Sequence, residues 1–115
     1  MENKRKAPRG NVNLKATLRK IKRSLSSGSR IKDISETGMC MPLNLYFPVD
    51  TLLEVEILFE DLNISIFALA RVVRIAERNN SRYRFDVGFE FLNLALEKQE
   101  FLREYVHNTL SHTEN

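Results

Sequence analysis

Leu53-Glu54-Val55-Glu56-Ile57-Leu58-Phe59-Glu60-Asp61-Leu62-Asn63-Ile64-Ser65-Ile66-Phe67-Ala68-Leu69-Ala70-Arg71-Val72 is the stretch that decides the fold class. Leu53, Val55, Ile57 and Phe59 occupy every second position, and Glu54, Glu56 and Glu60 fall on the opposite phase. Successive side chains of a strand point to opposite faces, so this pattern is a strand with one buried and one wet face. Asp61-Leu62-Asn63 supplies turn residues, after which Ile64, Ile66, Ala68, Ala70 and Val72 repeat the same period. The segment is a β-hairpin.

The pattern extends in both directions. Toward the C-terminus, Asn79-Asn80-Ser81 is a second hairpin signal, and Tyr83, Phe85, Val87, Phe89 and Phe91 alternate with Arg82, Arg84, Asp86, Gly88 and Glu90. Toward the N-terminus, Val12, Leu14, Ala16 and Leu18 alternate with polar residues. Ser24 to Ser29 reads as a turn or short loop. Arg30 to Ile34 reads as a short strand that stops at Asp33-Ile34-Ser35-Glu36-Thr37-Gly38, and Met39 to Leu45 as an apolar run broken by Pro42. Successive strands with short turns imply an antiparallel sheet, and closing it into a barrel removes its exposed edges. The period then changes. Leu94, Phe101, Leu102, Tyr105, Val106 and Leu110 recur at three- and four-residue steps, which predicts a C-terminal helix with one apolar face.

A chain of 115 residues, 43% apolar and 29% charged, has the composition of one soluble domain. No apolar run approaches the roughly 20 residues of a membrane span, and the charged N-terminus lacks the apolar core of a secretory signal. Cys40 has no partner cysteine, which suits a reducing cytoplasm. The net charge of +3 conceals an asymmetry. Residues 1–32 hold eleven Lys or Arg and one acid, whereas residues 33–115 hold seven against fourteen. The expected organisation is a flexible basic leader over residues 1–11, carrying Pro8 and Gly10, on a mildly acidic barrel domain with its helix over residues 12–115. Basic arms meet nucleic acid, nucleotides or anionic surfaces.

Two short motifs carry chemistry. Arg5-Lys6-Ala7-Pro8-Arg9 is an R-x-x-x-R in the leader, and Asp33-Ile34-Ser35-Glu36-Thr37-Gly38 is a D-x-S-x-x-G between strands. Singly, the first is a solvated charge run and the second an ordinary Asx turn. In this order, ahead of these strands, of Val87-Gly88-Phe89-Glu90-Phe91 and of a closing helix, they resemble the PilZ family of bacterial cyclic di-GMP receptors. The resemblance spans nearly the whole chain. It implies a mainly β protein, a six-stranded antiparallel β-barrel with a C-terminal α-helix, which binds the dinucleotide on the outside of the barrel.

Chemistry agrees with the motifs. Arginine's planar fork matches phosphate oxygens and the O6/N7 edge of guanine, and its flat face stacks on a base. An ionised Asp accepts from the N–H donors of guanine's Watson–Crick edge, a pattern that adenine lacks. By resemblance, Arg5 and Arg9 take guanine and phosphate, and Asp33 and Ser35 take a guanine edge. Gly38 shapes the floor by permitting a positive φ or close approach, and Gly88 lines the same surface. Lys4 stands where an arginine in the family accompanies a stacked ligand pair. It offers charge without a stacking plane, which points to one ligand per chain.

One departure is Ala95, a poor helix cap where many members carry Ser or Asp, with Asn93 as the substitute expected here. His107 and His112 read as surface histidines and Cys40 as a buried small hydrophobe. No nucleophile–base pair, Walker loop or paired-carboxylate site is present, so neither catalysis nor a metal is expected. The implied function is cyclic di-GMP reception, relayed to a protein partner by ordering of the leader, without a membrane. Two alternatives stand beside it. One is an adaptor of the same fold that does not bind nucleotide. The other is a nucleic-acid-binding barrel, which leaves Asp33 and Ser35 without a task.

Overall fold

The computed structural model describes residues 10–11, 14–20, 26–79 and 82–113. The hairpin predicted from residues 53–72 is present as β6 (Leu52–Phe59) and β7 (Ile64–Glu77), paired from Leu52 opposite Arg71 to Phe59 opposite Ile64. Asn63, at φ 57°, turns the chain between them, a conformation Asn tolerates better than most residues. Leu53, Val55, Ile57 and Phe59 are buried, as their phase requires. In β7 burial begins at Ile66, because Ile64 opens the strand at an exposed end.

The remaining strands are β1 (Gly10–Asn11), β2 (Lys15–Lys20), β3 (Ser26–Arg30), β4 (Asp33–Ile34), β5 (Gly38–Leu43) and β8 (Phe85–Leu92). All pairings are antiparallel, in the order β1-β4-β5-β8-β7-β6-β2-β3. Six of these strands have five residues or more and make a curled half-barrel, while β1 and β4 are two residues each. The connection from β3 to β4 forces the curl. These strands stand near opposite ends of the sheet order, yet only Ile31 and Lys32 separate them. Three residue steps reach at most about 11 Å. The two ends therefore meet, with Ile31 N donating to Leu14 O at 2.7 Å and Lys32 N to Cys40 O at 2.8 Å.

Three local expectations are corrected. Ser26–Ser29 is not loop but most of β3, paired with β2 from Lys15 opposite Arg30 to Arg19 opposite Ser26. Its Ser-Ser-Gly-Ser sequence has no apolar phase, so backbone pairing with β2 makes the strand. Arg30 to Ile34 is not one strand but the end of β3, a crossing and β4. Gly10 and Asn11, expected in the irregular leader, pair with Ile34 and Asp33 as β1.

The helix α1 (Leu96–Thr113) buries Leu102 and Val106 against the barrel. Phe59 meets Phe101 and Tyr105 edge-on, with ring centroids 5.1 and 4.9 Å away. Such pairs add about 0.5–1.5 kcal/mol each beyond their buried area. Asn93 does not cap this helix. It turns the chain at φ 53°, and Ala95 stands at the cap position, its carbonyl accepting from Gln99 N at 3.0 Å. Ala95 lacks a side-chain oxygen for the free N–H groups of the first turn. Replacing Ala95 with Asp is therefore expected to stabilise the fold by about 1 kcal/mol in urea unfolding. An unchanged midpoint would refute this helix start.

Candidate functional site

The D-x-S-x-x-G segment is a tight hairpin. Asp33 and Ile34 pair with Cys40 and Met39, and Ser35 N donates to Gly38 O at 2.8 Å to close the turn. The Ser35 hydroxyl is buried inside it, 2.9 Å from Thr37 Oγ1 and accepting from Thr37 N at 3.2 Å. Two outside contacts fix the tip. Phe91 N donates to Thr37 O at 2.9 Å, and Arg103 of α1 grips Glu36 with a two-pronged pair at 2.6 and 2.9 Å. Glu36 holds the Arg103 pKa above its ordinary value, first by accepting that hydrogen bond and then through its charge.

Cross-strand register builds a surface from this hairpin. Ile34, Met39, Phe89 and Val72 lie in one row across β4, β5, β8 and β7, and all four are buried in the core. The adjacent row has the opposite phase. It runs Asp33, Cys40, Gly88, Arg74, and so faces outward. A second outward row runs Gly38, Glu90, Arg71, Leu52. The structure therefore brings Asp33 and Gly88 into one row and Gly38 into the next, while Ser35 holds the turn beside them. Gly38 does this with an ordinary strand backbone, since no described glycine has a positive φ. Its expected left-handed turn is absent because it already belongs to the β5 ladder.

Arg74 closes this surface. A Cβ on Gly88 would stand 3.4 Å from Arg74 Nη2 and 3.6 Å from its Cζ, so the guanidinium lies across the glycine. The same Nη2 reaches Cys40 Sγ at 3.8 Å. Cys40 is buried, as expected for a small hydrophobe. Beyond it, Asp86 pairs with Arg78 at 3.3 Å and Lys32 at 3.7 Å. On the other side Arg71 pairs with Glu90 at 2.5 Å and Asp50 at 3.8 Å, and Glu90 above all raises its pKa. The outer face thus presents guanidinium groups among carboxylates, with a glycine floor.

Sequence reasoning missed Arg74, although a signal existed. The inward phase of Ile66, Ala70 and Val72 would send residue 74 into the core, where an unpaired guanidinium is costly. A β-bulge between Val72 and Arg74 resolves the conflict: it shifts the register, exposes Val73 and turns Arg74 outward. A charge on the core phase was the sign of the bulge. Arg5, Arg9 and Lys4 lie outside the described residues. Arg9 immediately precedes Gly10, and Gly10 is paired with Ile34.

The structure is a curled antiparallel half-barrel with a packed helix and a polar hairpin on its outer face. The PilZ domain pattern matches residues 3–108, and the chain belongs to the PilZ domain family. Solved structures agree on the fold. The Bacillus subtilis inhibitor of motility, MotI/DgrA, superposes with a TM-score of 0.83 at 20% identity, over 96% of this chain and 53% of that one. The PilZ domain of YcgR from Escherichia coli, solved with c-di-GMP, gives 0.78 at 17% identity over 96% and 95%. The K. pneumonia MrkH–c-di-GMP complex gives 0.83 at 15% over 98% and 55%. The chain thus spans about half the length of MotI/DgrA and MrkH. No curated protein matches it by sequence. Among the described residues no helix is long and apolar enough to cross a membrane.

Proposed function

We propose that this chain is a cyclic di-GMP receptor that acts by binding and passes the signal to a protein partner. One observation carries the reading. The D-x-S-x-x-G hairpin and Gly88 share an outward surface, and Gly10–Asn11 pairs with that same hairpin, one residue after the R-x-x-x-R motif. Arg5 and Arg9 then take guanine and phosphate, and Asp33 takes a guanine edge. Ser35 and Gly38 shape the hairpin that presents it, Gly88 lines the surface by leaving room for the Arg74 guanidinium, and Lys4 adds charge. Arg74, whose guanidinium lies over Gly88, supplies a stacking plane or a fork for the second guanine. Calorimetric titration with cyclic di-GMP, with GTP and a short RNA as controls, tests the reading. Saturable binding of cyclic di-GMP alone is expected, at one ligand per chain. Equal binding of RNA would overturn it.

The domain boundary follows from the same reading, with a leader ahead of the β1 ladder and the barrel after it. Lys4, Arg5, Lys6 and Arg9 repel one another and lack an apolar anchor, so the leader is the moving part. Two phosphates neutralise some of that charge and draw the arginines over the guanines, creating a surface of leader, nucleotide and barrel. Ligand should therefore cause large chemical-shift changes and reduced picosecond–nanosecond mobility in residues 1–9, with Leu53 to Phe91 nearly unchanged outside the candidate face. A leader that is equally rigid without ligand sinks this mechanism.

A further inference from the structure

Glu36 fills a position that the D-x-S-x-x-G motif leaves open, so the motif gives it no task. Its surroundings do. The strand that carries Asp33 is β4, two residues long, and its neighbour β1 is no longer. Ladders this short are marginal by themselves, so the hairpin tip needs anchors outside them. Phe91 N supplies one, through Thr37 O. Arg103 supplies another from α1: its Nε donates to Glu36 Oε1 at 2.6 Å and its Nη2 to Oε2 at 2.9 Å. Exposed ion pairs contribute little as a rule. This one has the forked geometry that is the exception, and the Glu36 side chain is only 16% exposed. Arg103 also starts from a fixed point. Leu102, one residue before it, is fully buried, and Phe101 and Tyr105, on either side in sequence, meet Phe59 edge-on. The same helix lies against β1, the strand that leads out of the R-x-x-x-R motif.

We propose that Arg103 is a positioning residue for cyclic di-GMP: by clasping Glu36 it ties the D-x-S-x-x-G turn to α1 and keeps Asp33 aimed at the guanine edge. The proposal rests on the receptor reading and extends its site to the helix. Asp33 stands two residues before Ser35, whose N–H closes the turn on Gly38 O. A turn that swings away therefore loosens the β4–β5 pairs that orient Asp33. A receptor whose turn is in place only part of the time binds more weakly by that fraction. Charge alone would act differently. Glu36 without its partner would repel the phosphates, and Arg103 without Glu36 would be a cation offered to them. Glu100 and Glu104 of α1 blunt that second effect, since both act on the Arg103 charge, though less than Glu36. Positioning thus implies a loss on removing either partner, whereas charge alone implies opposite signs.

The test is a double-mutant cycle on the full chain with Glu36→Ala and Arg103→Met, the second of which keeps the apolar stem. Calorimetry should show cyclic di-GMP binding roughly three- to ten-fold weaker in each single variant and no weaker still in the double. Arg103→Lys keeps the charge without the fork, and should fall between the parent and Arg103→Met. Hydrogen exchange of the ligand-free variants is the second readout. The amides of Ser35 and Thr37 should exchange faster, while exchange in β6 and β7 and the urea midpoint stay near the parent's. Tighter binding by Glu36→Ala, additive losses in the double variant, or unchanged exchange at Ser35 and Thr37 would overturn the proposal. The two readings fail separately. A parent that takes no cyclic di-GMP removes the receptor, and exchange still decides whether Arg103 fixes the turn. A parent that binds, with both single variants binding equally well, removes the positioning role alone.

Discussion

Replacing Arg5 and Arg9 together by alanine is expected to reduce cyclic di-GMP affinity below calorimetric detection while the protein stays folded. On the receptor reading, each arginine contributes a forked contact to guanine or phosphate, worth ~1–3 kcal/mol, or roughly five- to 150-fold in affinity. The double change also removes two of the charges that offset two phosphates. Stability should be little affected, because among the described residues the buried core begins at Leu14. Lysine at both positions is the sharper control, since it keeps the charge and loses the fork and the stacking plane. A lysine pair that binds like the parent would mean that charge alone does the work. Single alanine variants that both bind like the parent would show the assignment to be wrong.

The fold was legible where burial has a period. Leu53 to Phe59, Ile66 to Val72 and Phe85 to Phe91 each bury one phase, so their sequence states the strand and its face. β3 was hidden because Ser26, Ser27, Gly28 and Ser29 offer no apolar phase, and pairing with β2 creates the strand. β1 and β4 were hidden for another reason. Two residues cannot show a period, and their ladder depends on the barrel bringing distant segments together. Asn93 misled because a residue fit to cap a helix is equally fit for a left-handed turn, the use made of it here.

The candidate site divides in the same way. The motif named the hairpin residues, because a turn between two strands is local in sequence. The surface around them is not local. Asp33, Cys40, Gly88 and Arg74 come from four strands, and only the register aligns them. Arg74 depends further on a bulge that reverses its face. Ser35 is legible in the motif as a residue type, while its hydrogen bonds to Thr37 are visible only in the structure. On the receptor reading, it holds the hairpin that carries Asp33.

Asp33→Ala separates nucleotide recognition from simple attraction of anions, because the two readings give opposite signs. On the receptor reading the change leaves guanine N–H donors without an acceptor, a cost of about 1–3 kcal/mol and thus roughly five- to 150-fold weaker cyclic di-GMP binding. For a polyanion the same change removes a negative charge from a face that also carries Lys32, Arg74 and Arg78, so binding should tighten and depend more steeply on salt. Asp33→Asn refines the comparison. It keeps the size and one acceptor oxygen but sets an N–H₂ group where guanine also presents donors, so it should weaken cyclic di-GMP without enhancing GTP. The measurement is parallel calorimetry of parent and variants with cyclic di-GMP and a short RNA, at low and moderate salt. Loss for the dinucleotide with gain for the RNA supports recognition through Asp33, whereas gain for both would reduce the face to a cation patch.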